Sequence, residues 1–192
     1  GWFMDKSFEK TPIGGFVKLG ENVIETRMTM NACRYVEEMY VIGDFGVDPN
    51  TFALVREPRR LATGDWCAQG YPFYTDAMVY ETELSMPGKP KGRVEIELPA
   101  FEAPVAAVWV NNEKAAVIGW HPYTADITRF LRAGANTLGI EIVGTPRNLM
   151  GPKHYPDRHP PWTGPGQMAD TTESIYQIAP FGMMGDPKIR VY

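Results

Sequence analysis

The sequence predicts an all-β sandwich, and three observations predict it. Apolar and polar residues alternate with a period of two in several separate segments. Glycine and proline are in surplus: 19 Gly and 17 Pro among 192 residues, about 19% against a usual ~12%, which multiplies turns. No segment sustains a helical period beyond about two turns.

Each element is explained by its own residues. Met78–Met86 places Met78, Tyr80, Leu84 and Met86 on one side and Glu81 and Glu83 on the other, a strand with one wet face. Arg93–Leu98 repeats the pattern with Glu95 and Glu97 outward. Pro87-Gly88 and Lys89-Pro90-Lys91-Gly92 lie between them as turn material, so the two strands are expected to pair as a hairpin. Val105–Val110 is a denser apolar run, in which Trp109 is expected to be core. It ends in Asn111-Asn112, a turn dipeptide because Asn tolerates positive φ, and residues 115–119 return from it. Thr137–Val143 alternates again, and Ile175–Ile178 and Lys188–Tyr192 close the chain as strands. The single helical turn runs from the capping residue Asp126 to Gly134.

One motif occurs twice. Phe16-Val-Lys-Leu-Gly-Glu-Asn-Val-Ile24 matches Phe130-Leu-Arg-Ala-Gly-Ala-Asn-Thr-Leu138, in both cases a Gly-containing turn feeding a strand. Two copies make no solenoid. They read either as equivalent corners of a pseudo-symmetric sandwich or, for the first copy, as the tail of a neighbouring sandwich. The chain is accordingly read as one β-sandwich domain over 1–192, with 1–31 alternatively the edge of such a neighbour. Residues 144–166 hold six Pro and four Gly. They form a loop of a length that usually carries function.

Composition excludes several classes. Hydrophobic residues at 44% and charged residues at 22% exclude whole-chain disorder. A net charge of −4, with no basic run longer than Arg56-Glu57-Pro58-Arg59-Arg60, argues against a nucleic-acid partner. No apolar run has the length of a membrane span. Gly1 in place of an initiating Met reads as an excised fragment, so a missing signal peptide says nothing about secretion. Cys33 and Cys67 set no framework and read as free, buried thiols, with a pair as the other option. No GxSxG, HExxH, P-loop or GxGxxG is present, and Ser7, Ser85 and Ser174 have no base nearby in sequence.

Val108-Trp-Val-Asn-Asn-Glu-Lys, the stretch to Trp120-His-Pro-Tyr123, Asp126-Ile-Thr and Leu131-Arg-Ala-Gly-Ala-Asn-Thr-Leu138 together resemble the sugar-binding jelly roll of family-two glycoside hydrolases. The departure is Asn112, where that family usually has Gly. Val36–Val47, Gln69–Tyr74 and Arg147–His154 resemble the C-terminal β-sandwich of rhamnosidase-like bacterial glycoside hydrolases. The resemblance implies a galactose-binding-like jelly roll with one short helical turn, attached to a glycan-degrading enzyme. An extracellular or periplasmic location, as part of a secreted bacterial enzyme, is the corresponding expectation.

Sugar sites combine aromatic platforms with a few planar hydrogen-bonding groups. Trp66, Tyr71, Phe73 and Tyr74 fall in a Gly/Pro-broken segment, with Trp66 and Tyr74 expected to be exposed; the competing reading makes them a plug at the open end of the sandwich. Trp120, His121 and Tyr123 form a second candidate group, against a reading as cover for the helical turn. Asn148, His154, His159 and Trp162 in the long loop form a third, against loop-pinning packing. The three segments are expected to converge. His154, Asp157 and His159 make a weak metal pattern, and Asp44, Asp48 and Asn50 could supply oxygens to a structural calcium, which related jelly rolls often carry. Neither matches a standard ligand spacing. Glu81, Glu83, Glu95 and Glu97 read as solvated sheet faces rather than a glycosidase pair. The leading expectation is a non-catalytic module that binds plant or other complex polysaccharide. The alternatives are a bracing domain that packs on the parent's catalytic domain and binds no free sugar, and a catalytic domain in its own right.

Overall fold

The computed structural model describes residues 1–29, 39–151 and 176–192. Cys33, His154, Asp157, His159 and Trp162 lie outside these residues. The chain forms two units, Gly1–Ile42 and Gly43–Tyr192.

In the first unit, β1 (Trp2–Phe3) pairs antiparallel with β2 (Asp5–Glu9), and Phe8 meets the Tyr40 ring edge-on. In the second unit, β3 (Gly46–Val47) pairs with β4 (Leu54–Val55). The next strands are β5 (Ala77–Met86), β6 (Val94–Glu97), β7 (Phe101–Glu102), β8 (Val105–Val110), β9 (Glu113–Ile118), β10 (Thr124–Asp126) and β11 (Gly134–Val143). A four-residue helix, α1 (Arg147–Met150), precedes β12 (Gly182–Met183) and β13 (Lys188–Val191). An antiparallel four-stranded sheet of order β5-β11-β8-β9 and a three-stranded sheet of order β10-β6-β13 enclose the core, and β7 pairs with β12. The architecture is the expected β-sandwich.

Alternation builds that core. Leu138, Ile140 and Ile142 of β11 and Ala106, Val108 and Val110 of β8 meet Val94 and Ile96 of β6, with Ile127, Leu131, Phe101, Phe181 and Met183 filling the ends. Met78, Tyr80, Leu84 and Met86 of β5 pack against it as expected. The β8–β9 hairpin also forms as expected, with Asn111 and Asn112 at φ 52° and 68°. Two positive-φ residues match the right-handed twist of the flanking strands.

Two expectations are corrected. β5 and β6 do not form a hairpin: β5 pairs with β11, and β6 with β10 and β13. The Pro/Gly connection crosses between sheets, because each strand has one apolar face and both bury it in the same interior. Residues 176–178 form no strand. The ladder contact comes later, at β12, where Gly182 has φ 135° and any Cβ would lie 2.2 Å from the Gly64 carbonyl oxygen. Glycine there lets residues 181–183 run against residues 64–66, through Gly64 N–H to Met183 O and Trp66 N–H to Phe181 O.

The expected helical turn is a short 3-10 turn, Thr128–Phe130. Asp126, the last residue of β10, accepts from the Thr128 hydroxyl at 2.5 Å and the Thr128 N–H at 2.9 Å. These bonds, with Arg93 nearby, hold its carboxyl below the ordinary 3.8. Beyond the turn sits Asn136, buried. Its Oδ1 accepts from Arg132 N–H and Asn111 Nδ2, and its Nδ2 donates to Arg132 O, Gly134 O and Leu84 O.

Asn136→Ala leaves several backbone groups unpaired in the interior, each worth about 1–3 kcal/mol. Urea denaturation should show a loss of at least ~2 kcal/mol, and Asn136→Asp should not restore it, because an ionised carboxylate cannot donate to the three carbonyls. Asp126 carries its proton at lower pH when folded than when unfolded, so its contribution is present above the ordinary carboxyl range and fades as pH falls. Asp126→Ala should therefore melt lower than the parent at pH 7, with the gap closing below about pH 3.8. A pH-independent gap in melting scans would contradict this.

Candidate functional site

The register places the start of β5, the end of β11, the start of β8 and the end of β9 at one end of the four-stranded sheet, through Ala77↔Val143, Val143↔Val105 and Ala106↔Ile118. The segments bearing Tyr71–Tyr74, Trp120 and Asn148 leave from that end. They share an end of the sheet, where Trp66 is buried, Tyr71, Tyr74 and Tyr123 are half-buried and Trp120 is exposed.

Trp66 is fully buried, not exposed. It stacks on Phe181 at 5.9 Å with the rings 13° apart and meets Tyr74 edge-on. A flat apolar ring beside an open sandwich end gains more by closing the core than by facing water. Its Nε1 has no partner among the described residues. Tyr74 is half-buried and donates to Ala77 O at 3.2 Å. Tyr71 donates to Glu57 Oε1 at 3.1 Å, and burial together with that carboxylate pushes its phenol up to about 12. Phe73 packs on Phe52 and Tyr176. This segment is the plug of the alternative reading.

Asn148 is also corrected: it is buried and pins the chain. Its Oδ1 accepts from Ala179 N–H at 2.9 Å, and its Nδ2 donates to Ala179 O at 2.8 Å and lies 3.5 Å from Cys67 Sγ. Cys67 is free and buried, and its thiol donates to Ala179 O. Burial, with Asp65 nearby, pushes this thiol up to about 12. Asp65 Oδ1 accepts from Cys67 N–H and Phe181 N–H, so the whole cluster fastens residues 179–181 to the sandwich. Of the loop aromatics, Trp120 stands out at 87% exposed. The exposed His121 stacks on Tyr123 at 3.9 Å, and Tyr123 in turn rests on Phe101.

A different aromatic takes the sheet face. Trp109, expected in the core, points outward and is half-buried. Its Nε1 donates to Glu141 Oε2 at 2.7 Å, and the Lys114 ammonium sits 4.7 Å over its ring. Pairing sets Glu81, Gly139, Trp109 and Lys114 in one row across β5, β11, β8 and β9. Glu83 and Thr137 form the next row, and Glu141 lies beside Val79. All of these residues except Lys114, together with Asn112, line an open cleft of about 590 Å³. Gly139 contributes no side chain, which leaves the space between Glu81 and the indole clear. Sequence parity carried this signal. Val108 and Val110 are core, so Trp109 between them faces out, on the same side as Glu81, Glu83 and Glu141. The unbroken apolar run from Val105 to Val110 hid the parity.

Asp48 Oδ1 accepts from Asn50 N–H and Thr51 N–H, closing a turn. Among the described residues no group of three or more His, Cys, Asp or Glu converges to hold a metal, and no helix is long and apolar enough to cross a membrane.

No protein-family model and no curated protein matches the chain. Among solved structures it is similar to a rhamnosidase from Novosphingobium sp. PP1Y, 24% identical over 61% of this chain and 11% of that one, with a TM-score of 0.45. It is similar to a β-D-mannosidase from Dictyoglomus thermophilum, 14% identical over 62% of this chain and 16% of that one, with a TM-score of 0.40. A β-glucuronidase from Ruminococcus gnavus is 17% identical over 58% of this chain and 22% of that one, with a TM-score of 0.36. The chain thus spans between 11% and 22% of the length of these three enzymes. All three are glycoside hydrolases by name; none of the likenesses reaches a TM-score of 0.5, and they assign no activity to this chain.

A thiol raised when folded favours the folded state below its ordinary value of 9.0, and that contribution declines as pH rises toward 12. At pH 8 Cys67 is protonated and covered. Peptide mapping after iodoacetamide at pH 8 should leave the Cys67 peptide unlabelled in buffer and fully labelled in urea; rapid labelling in buffer would contradict this burial.

Proposed function

We propose that the chain is a non-catalytic, sugar-binding β-sandwich of a larger glycan-degrading enzyme, and that it takes sugar on the outer face of the four-stranded sheet, over Trp109. The observation that carries this reading is the indole itself. A half-buried Trp on a wet sheet face, fixed by Glu141 from one strand and Lys114 from another, is held in place before any ligand arrives. An apolar sugar face stacks on such a ring. Glu81, Glu83 and the other oxygen of Glu141 then accept from hydroxyls, and Asn112 can donate or accept at the rim. Strand-borne side chains lose little freedom on binding, which favours affinity. The carboxylates arise from adjacent strands under one side of the ligand. A glycosidase requires a pair that flanks the scissile bond, so the arrangement supports binding rather than hydrolysis.

The resemblance of the Val108–Leu138 stretch to sugar-binding jelly rolls supports the same reading. The second reading, a bracing domain, is favoured by a separate observation: Trp120 at 87% exposed and Val117 at 62% exposed give a catalytic domain something apolar to cover.

Affinity electrophoresis on a panel of plant polysaccharides separates these. Single-glycan affinities of such modules are weak, about 10 μM to 1 mM, or roughly −7 to −4 kcal/mol. Trp109→Ala should abolish detectable retention while leaving the melt cooperative. Gly139→Val should do the same by filling the cleft, and Trp120→Ala should bind as the parent does. Loss of binding only in Trp120→Ala moves the site to the loop end. A parent retained by nothing on the panel leaves the bracing reading in place.

A further inference from the structure

The repeated motif is repeated in three dimensions. Every pair of equivalent residues is 114 positions apart. Phe16 N–H donates to Ile13 O at 2.8 Å, and Phe130 N–H donates to Ile127 O at 3.1 Å. Lys18 N–H donates to Asn22 Oδ1 at 2.9 Å, and Arg132 N–H to Asn136 Oδ1 at 2.9 Å. Asn22 Nδ2 donates to Lys18 O and Gly20 O, each at 2.8 Å; Asn136 Nδ2 donates to Arg132 O at 2.9 Å and Gly134 O at 3.1 Å. Gly20 and Gly134 have φ of 93° and 86°.

The surroundings of the two copies differ. In the second, the residues after the turn become β11, between β5 and β8, and Leu131, Leu138 and Ile142 are core. Their counterparts Val17, Ile24 and Met28 are 54%, 51% and 47% exposed, and residues 21–29 form no strand. Asn136 is buried and also bonds Leu84 O and Asn111; Asn22 is exposed and bonds only its own turn among the described residues. Ile24 and Met28 stand where the second copy has Leu138 and Ile142, and Thr26 where it has Ile140, a largely apolar parity behind an Asn-closed turn.

We propose that Ile13–Met28 is the closing turn and last strand of a second β-sandwich, one whose remaining strands flank residues 22–28 as β5 and β8 flank β11. The second copy shows what covers the first: two antiparallel neighbours, and an apolar interior against Val17, Ile24 and Met28. The partner is therefore a sandwich that lacks its closing strand and offers two open edges beside an apolar slot.

Two measurements test this. In the 192-residue chain, residues 127–142 are replaced by the sequence of residues 13–28, and a control carries only the inward changes Leu131→Val, Leu138→Ile, Ile140→Thr and Ile142→Met. Cooperative unfolding of the transplant supports the proposal. A transplant that fails to unfold cooperatively while the control succeeds overturns it. If both fail, amide exchange decides. In the 192-residue chain residues 22–28 should exchange freely while 136–142 are protected. In a longer polypeptide that carries the proposed second sandwich, residues 22–28 should exchange roughly a hundredfold more slowly, as paired strands do. Free exchange in both overturns the proposal, as does protection in the short chain that disappears on dilution, which would mean that a second copy covers the strand.

Discussion

The amide of Asn136, on β11, bonds three other parts of the sandwich and reinforces the ladders that pair β11 with β5 and β8. It closes the turn at Arg132–Gly134, holds the last residues of β5 through Leu84, and, through Asn111, grips the β8–β9 turn. Asn111 extends the link to the 3-10 turn by donating to Phe130 O. A buried amide must satisfy both its ends or destabilise the fold, and this one does so only when all four parts are in register. Sliding β11 by one residue would carry Asn136 to the wet face and Leu138, Ile140 and Ile142 with it. One polar group thereby selects one register of the central strand.

With β11 fixed, the two faces of the sheet acquire opposite tasks. Its even-numbered residues fill the interior, and its odd-numbered residues, Gly139 and Glu141 among them, carry Trp109 from β8 and the glutamates from β5 on the outside. The outer face of the sheet thus stays out of the core, whereas much of the loop end is taken up by packing, Trp120 excepted. Trp66, Tyr74, Phe181 and the Asn148–Ala179 bonds seal that end, and a residue engaged in sealing cannot also serve as a platform.

The doubled motif separates local from tertiary causes. Basic-x-Gly-x-Asn closes the same turn twice, because a left-handed glycine and a side-chain amide at the last position are sufficient for it. Burying the strand that the turn feeds requires neighbours on both edges, and only the second copy has them in Gly43–Tyr192.

The sequence by itself determined the fold class, five of the strands between Met78 and Val143 (not β7 or β10), the Asn111-Asn112 turn and the recurrence of the Asn-closed turn, because these depend on alternation and on residues that tolerate positive φ, and both are local. It left open which strands pair, so Met78–Met86 and Arg93–Leu98 looked like a hairpin when each belongs to a different sheet. It also left open which aromatics face water. Trp66 in a broken loop looked exposed and is core; Trp109 in an apolar strand looked buried and lies on the surface. Exposure is decided by what arrives on the other side of a ring. For Trp66 that is Phe181, 115 residues further along the chain, and for Trp109 it is Gly139, which adds no side chain of its own over the half-buried indole.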